Sequence, residues 1–123
     1  MSARKDIRIE FQIENRIYEA VGFLDVDEDF VWGTEMLERT AGENGGAIGD
    51  DEVGFIWRHR DKLPAAELSD YYLVTNKRSV GNPRYVLCFF YAEGRWQQGW
   101  STLDDRWEWK AFALVLRFLR RCA

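Results

Sequence analysis

The first regular pattern in the sequence is an alternation of apolar and polar residues. Apolar side chains occupy every second position across residues 7–13, and charged or amide side chains occupy the positions between them. A period of two is typical of a strand with one buried face. A turn at residues 14–16 and a second β-rich stretch at 17–24 therefore predict an N-terminal hairpin.

Two helices are predicted in the middle of the chain. Residues 34–41 place apolar side chains at helical spacing, together with a Glu35–Arg39 pair at i,i+4. The second helix begins near Asp50, where three acidic residues suit the positive end of the helix dipole, and Pro64 ends it. Its apolar stripe consists of Val53, Ile56, Trp57 and Leu63.

The second half of the sequence predicts a β-meander. Strands are indicated at residues 71–75, 84–91 and Arg95–Thr102, with a tight turn at Glu93-Gly94. A further turn at residues 103–105 leads to Trp107 and Trp109. The predicted fold is α+β: an antiparallel sheet, made of the N-terminal hairpin and the C-terminal meander, packed against the two central helices.

The last segment, residues 110–121, fits two structures. As a helix it would place Phe112, Val115, Leu116 and Leu119 on one face, and as a strand it would align Phe112, Leu114, Leu116 and Phe118. The segment is therefore ambiguous, and its alanine and leucine content favours the helix.

The composition is that of one globular domain covering residues 1–123. Hydrophobic residues make up 46% of the chain and aromatic residues 15%, including six Trp. The net charge is −4, and residues 25–52 hold ten acidic residues against the single Arg39. Nucleic-acid binding is disfavoured, because it needs a continuous basic surface.

The two cysteines, Cys88 and Cys122, have no metal-binding spacing, and Cys88 lies in an apolar run. The charged N-terminal residues do not form the apolar core of a signal peptide, and no apolar stretch approaches the length of a membrane span. We expect a cytoplasmic protein with reduced thiols, no membrane contact and no cofactor.

Several stretches of the sequence resemble small proteins of bacteria with reduced genomes, of the candidate-phyla type. These stretches are EMLERTAGENGGAIGDDEVGFIWRHRDKLPAAELSDYYLV, NPRYVLCFFY, GRWQQGWSTLDDRW and the terminal RRCA. The resemblance covers most of the chain from Glu35 onward. The apolar KAFALVLRF departs from the short polar stretch of those proteins. The resemblance implies a cytoplasmic location and no particular activity, cofactor or catalytic residue.

Catalytic and metal sites are not indicated by the sequence. His59, the only histidine, is flanked by arginines, and Cys88 could reach it only through a tertiary contact. The acidic run at residues 25–29 lacks the glycine and the glutamate of a calcium-binding EF-hand loop. The glycine-rich residues 42–49 lack the lysine of a phosphate-binding loop, so a flexible connection is favoured there.

The aromatic density of residues 85–109 is the most unusual feature of the sequence. Trp96, Gln98 and Trp100 alternate along one predicted strand and would share a face, as would Trp107 and Trp109 on the next segment. If this face is open, the indole rings could stack on a ligand or on a partner's side chains. Burial as core is favoured for most of them, because one sheet face must be filled, with some Trp left at the edge.

The sequence supports three hypotheses about function. The favoured hypothesis is a non-enzymatic protein-interaction or adaptor domain that uses an aromatic sheet surface. The first alternative is a small-ligand or carbohydrate-binding module on the same Trp-rich face, and the second, disfavoured, is an enzyme that uses His59. The candidate binding residues are Trp96, Gln98, Trp100, Trp107 and Trp109.

Overall fold

The computed structural model describes residues 7–41, 46–103, 108–109 and 113–122. The strands are β1 (Arg8–Ile13), β2 (Arg16–Val21), β3 (Val31–Trp32), β4 (Tyr72–Arg78), β5 (Tyr85–Ala92), β6 (Arg95–Thr102), β7 (Glu108–Trp109) and β8 (Ala113–Arg121). The helices are α1 (Gly33–Arg39), α2 (Asp50–Arg58) and α3 (Ala65–Leu68), with a 3-10 turn at Arg60–Lys62. Six strands form one sheet in the order β1-β2-β8-β4-β5-β6, and β3 pairs with β7. The predicted α+β fold is confirmed.

The N-terminal hairpin forms as the alternation predicts. β1 and β2 pair antiparallel from Arg8↔Val21 to Ile13↔Arg16, and Glu14 takes a positive φ of 54° in the turn. Phe11 and Ile13 are buried, as expected for the apolar positions of a one-sided strand.

The last segment is a strand, so the preference for a helix there is wrong. β8 lies between β2 and β4 at the centre of the sheet, and its first five residues are all buried. A strand that is covered on both faces reads as a continuous apolar run, which periodicity does not distinguish from a buried helix. Tertiary packing therefore overrides the helix propensity of Ala and Leu.

The sheet is mixed rather than wholly antiparallel. β8 pairs antiparallel with β2 but parallel with β4, through Tyr72↔Ala113, Leu73↔Leu114 and Val74↔Val115. Beyond these pairs, the connection before α2 bridges the two strands. The Ile48 N–H donates to the Leu116 carbonyl (3.0 Å), and the Ile48 carbonyl accepts from the Asn76 N–H (2.8 Å).

The second predicted helix is interrupted. α2 begins at Asp50 as predicted but ends at Arg58, and Leu63 follows the separate 3-10 turn. Leu63 is buried, yet it does not continue the α2 stripe, so its assignment to that stripe is wrong. The stripe itself packs on the sheet: the Trp57 ring stacks on Phe89 of β5, with centroids 6.0 Å apart and planes at 7°.

The first predicted helix forms as α1, directly after the short strand β3. Arg39 at its end forms the predicted i,i+4 pair with Glu35 (3.1 Å). The same guanidinium donates to Glu28 and to the Phe23 carbonyl (3.0 Å). Arg39 thus ties the acidic connection before β3 to the helix through charge-assisted hydrogen bonds.

Both faces of the sheet are buried at its centre. The face toward α2 buries Leu73, Phe89 and Leu114, and the opposite face buries Val74, Cys88 and Val115. The opposite face also holds a charged cluster on β1, β2 and β8. In it the Glu19 carboxylate, only 7% exposed, accepts a hydrogen bond from Arg8 at 2.7 Å and forms an ion pair with Arg117 at 3.2 Å.

Candidate interaction surface

β6 is the last strand at one end of the sheet, and its side chains alternate between the two faces. Cα pairing places Trp96 opposite Tyr91, Gln98 opposite Phe89 and Trp100 opposite Leu87. Because residues directly opposite one another share a face, and Phe89 stacks on α2, all three β6 residues lie on the α2 face.

The two indoles of this strand differ in exposure. Trp96 is 6% exposed, because the 3-10 turn lies against β6 and Tyr91 makes an edge contact with its ring, with centroids 5.2 Å apart. Trp100 lies four residues further along the strand and is 48% exposed. The cover over the α2 face therefore ends between these two residues.

A second exposed aromatic side chain lies beside Trp100. Tyr85 is 39% exposed and pairs with Thr102, so it is a diagonal neighbour of Trp100 on the same face. Diagonal neighbours on adjacent strands lie within reach of aromatic side chains. Tyr85, the exposed Gln98 and Trp100 form what we name the aromatic edge surface.

Two of the candidate binding residues are not placed on this surface. Trp107 lies outside the described residues. Trp109 is described through its backbone alone, which pairs with Val31 in the β3–β7 ribbon rather than in the main sheet.

The backbone groups of β6 also alternate in direction. A two-residue turn joins β5 to β6, and its residues Glu93 and Gly94 both have positive φ, 56° and 77°, the combination of a type I′ hairpin turn that glycine favours. Such a turn closes on a hydrogen-bonded pair, here Ala92 and Arg95, after which bonded and non-bonded pairs alternate.

By this alternation, Trp96, Gln98 and Trp100 occupy non-bonded pairs and direct their N–H and C=O groups away from β5. A hydrogen bond of β5 is consistent with this alternation of bonded and non-bonded pairs. The Leu87 carbonyl, across from Trp100, accepts from the Thr75 hydroxyl of β4 at 2.8 Å and so points away from β6. Within the described strands, β6 has no neighbour on its outer side.

A basic recess lies next to β6 at its Trp96 end. Its volume is about 310 Å³, and we name it the arginine recess; it is lined by Trp57, Arg60, Arg95, Trp96, Gln97 and Gln98. The Arg60 guanidinium lies over the Trp57 ring, 4.3 Å from its centroid, and donates to the Trp57 carbonyl at 2.7 Å. Neither Arg60 nor Arg95 forms an ion pair with a carboxylate of the described residues, and Asp61 borders an adjoining recess.

His59 and Cys88 are not brought together. His59 follows α2, where its Nδ1 is bonded to the Phe55 carbonyl (2.9 Å) and its Nε2 lies 3.8 Å from a Glu14 carboxylate oxygen. Cys88 is buried on the opposite face of the sheet, and burial raises the pKa of its thiol to about 12. The thiol is therefore neither near the imidazole nor ionised at neutral pH.

A further polar cluster lies at the start of α2 and is satisfied internally. The Glu52 carboxylate accepts from the Tyr18 hydroxyl (2.5 Å) and from Arg16 (3.0 Å), and the Arg16 guanidinium lies 3.8 Å from the Phe55 ring centroid. The pKa of the Tyr18 phenol is raised, mainly because the phenol is buried and also because it donates a hydrogen bond to Glu52. These contacts connect α2 to β2, and the polar groups involved form hydrogen bonds with one another.

The described residues contain no group of three or more metal-ligating side chains, and none of their helices has the length and apolarity needed to cross a membrane. No family model, curated protein or solved structure matches the chain.

Sequence reasoning singled out Trp96, Gln98 and Trp100 but missed the arginine recess. The available signal was the i,i+3 spacing of Trp57 and Arg60, which places a guanidinium over an indole on consecutive turns. The contribution of Arg95 had no such signal, because it depends on where the 3-10 turn meets β6.

Proposed function

We propose that this protein is a non-enzymatic interaction domain that binds another protein through the aromatic edge surface. The observation that carries the proposal is the half exposure of Trp100, with Tyr85 exposed beside it, on a strand at the end of the sheet. Tyr and Trp are enriched where proteins bind one another, because each combines a large apolar ring with a polar group.

The arrangement also supports a role in binding over a role in catalysis. His59 and Cys88 lie on different sides of the sheet, and the Tyr18–Glu52–Arg16 cluster is occupied by its own hydrogen bonds. The small-ligand alternative places a ligand on Trp96 and Trp100 of the same strand, but Trp96 is nearly fully covered, so that only Trp100 and its neighbour Tyr85 present exposed rings. A protein surface that extends along the strand suits this distribution better than a sugar ring does.

Photo-crosslinking in host cells tests the proposal. We would replace Trp100 by p-benzoylphenylalanine, and use the same replacement at Val80, a fully exposed apolar residue of the β4–β5 loop, as the matched control. Position 100 should yield one or a few protein adducts that position 80 does not. Equal adducts from both positions, or none from position 100, would reject the proposal. Saturable fluorescence quenching by a sugar or nucleotide, lost in Trp100→Ala, would favour the small-ligand alternative.

A further inference from the structure

We infer that the partner is an extended peptide segment that adds to β6 as a seventh strand of the sheet and carries a carboxylate into the arginine recess. The inference rests on the proposed function and specifies its partner. It combines three features of β6 and its surroundings: outward backbone groups, no charged residue along the strand after Arg95, and a recess lined by Arg60 and Arg95 beside one end.

The first feature is the direction of the backbone groups. Trp96, Gln98 and Trp100 present N–H and C=O groups to the outer side of β6, and their side chains share the α2 face. An added strand therefore bonds to the backbone of these residues and places every second side chain beside theirs. Main-chain bonds of this kind give affinity, while contacts at alternate side chains give specificity.

The second feature is the absence of the charges that normally protect a sheet edge. Exposed edges usually carry lysine or other charged residues, or proline, and these residues disfavour pairing with another chain. At the other end of the sheet, β1 holds Arg8 and Glu10 within the strand. β6 holds no charged residue and no proline after Arg95. Its edge thus lacks the groups that would exclude a strand.

The third feature sets the chemistry of the partner. Arg60 and Arg95 line the recess beside Trp96, and they also line the adjoining recess that Asp61 borders. Neither arginine forms an ion pair with a carboxylate of the described residues. Arg60 is held in place by its contacts with Trp57, so a carboxylate would meet a preorganised guanidinium. The chain as a whole carries −4, so the two arginines give this recess a local charge opposite in sign to that of the chain.

These positions define a motif. A partner residue opposite Trp96 lies beside the arginine recess, and a partner residue opposite Trp100 lies beside the two exposed rings of the aromatic edge surface. The two partner residues are four positions apart, because one face of a strand is read at every second residue. We therefore expect Asp or Glu at one position and a large apolar residue four positions away, in either order according to strand direction.

The test is a selection of displayed random octapeptides on the full-length protein, followed by affinity measurement of the enriched peptides. We expect them to share an acidic residue and an apolar residue at that spacing. Arg60→Gln combined with Arg95→Gln should remove the preference for Asp and Glu. Selected peptides that lack the motif, or no enrichment over a protein-free control, would overturn the inference.

Two variants of one residue test the strand pairing. Gln98→Pro removes an outward N–H without removing a bond to β5, and edge positions tolerate proline for that reason. It should weaken binding by about tenfold or more, which corresponds to about 1.4 kcal/mol. Gln98→Thr keeps the N–H and should bind within about twofold of the parent, since one exposed side chain changes. Equal binding by both variants would overturn strand addition.

Two further measurements separate the outcomes. Light scattering reports whether β6 instead pairs with a second copy of the chain, and a dimer that Gln98→Pro dissociates would overturn the inference. If the position-100 crosslink in cells persists in Gln98→Pro, the interaction domain stands and strand addition fails. If the crosslink itself is absent, the proposed function fails.

Discussion

The charged cluster around Glu19 provides a quantitative test of how the sheet is held together. Glu19 lies on β2 with 7% of its side chain exposed, between Arg8 of β1 and Arg117 of β8. Arg117 is 11% exposed and Arg8 is 59% exposed. The Arg117 Nε has no hydrogen-bond partner in the described structure, so Glu19 is the main compensation for its buried charge.

Glu19→Ala leaves the Arg117 guanidinium buried without its carboxylate. Breaking a buried ion pair in this way costs about 3–5 kcal/mol of unfolding free energy. Arg8→Ala is the matched control, because it removes the exposed member of the same cluster and should cost about 1 kcal/mol or less. Replacing both Glu19 and Arg117 by leucine should restore most of the stability, since no charge is then buried.

Urea denaturation followed by circular dichroism measures these differences. With a slope of about 1.5 kcal/mol per molar urea, Glu19→Ala should lower the midpoint by about 2–3 M. Equal losses in Glu19→Ala and Arg8→Ala would refute the argument, because burial would then not decide the energy. A double leucine variant that is less stable than Glu19→Ala would refute it as well.

Three further predictions concern other parts of the fold. In thermal denaturation, Phe89→Ala should cost about 3–5 kcal/mol as a core cavity, whereas Trp100→Ala should cost about 1 kcal/mol, because only half of its surface is buried. Gly94→Ala should cost about 1–2 kcal/mol, because φ is 77° there, while Gly81→Ala, which has open space around its Cβ, should change stability by less than about 0.5 kcal/mol. The raised pKa of Cys88 predicts that stability falls from about pH 9 toward pH 12, by about 1.4 kcal/mol at pH 10, because the unfolded thiol loses its proton first; Cys88→Ala should lack this slope in alkaline denaturant titrations.

Sequence patterns over a few residues predicted those elements whose surroundings stay the same along their length. The period-two alternation before Ile13 predicts β1, because one face of that strand meets the core and the other does not. The three acidic residues from Asp50 predict the start of α2 for an equally local reason, the field of the helix end. Both predictions are confirmed.

Patterns failed where the outcome depends on distant parts of the chain. β8 looks like a helix because its two-sided burial erases the alternation, and that burial arises from β2 and β4, which are remote in sequence. Leu63 fits the α2 period, but the chain leaves the helix at Arg58. The pairing of β3 with β7 has no signal, since each strand is only two residues long.

The candidate site was partly accessible from the sequence. The alternation of Trp96, Gln98 and Trp100 places them on one face of a strand, and the observed register agrees. The different exposure of the two indoles does not follow from alternation, because it depends on where the 3-10 turn meets β6. The edge position of β6 is likewise a property of strand order, which local sequence does not encode.

The place of β8 has a consequence for how the chain reaches its folded state. Among the described strands of the sheet, β1 and β2 are joined to β4, β5 and β6 through β8 alone, which follows all of them in sequence. During synthesis the β1–β2 hairpin and the β4–β5–β6 unit therefore each keep one unpaired edge until β8 has been synthesised and can pair with both. Such late, long-range closure is slow and leaves nascent chains prone to wrong pairing. Ribosome-bound chains that lack residues 113–121 should accordingly depend on chaperones far more than chains that include β8 do.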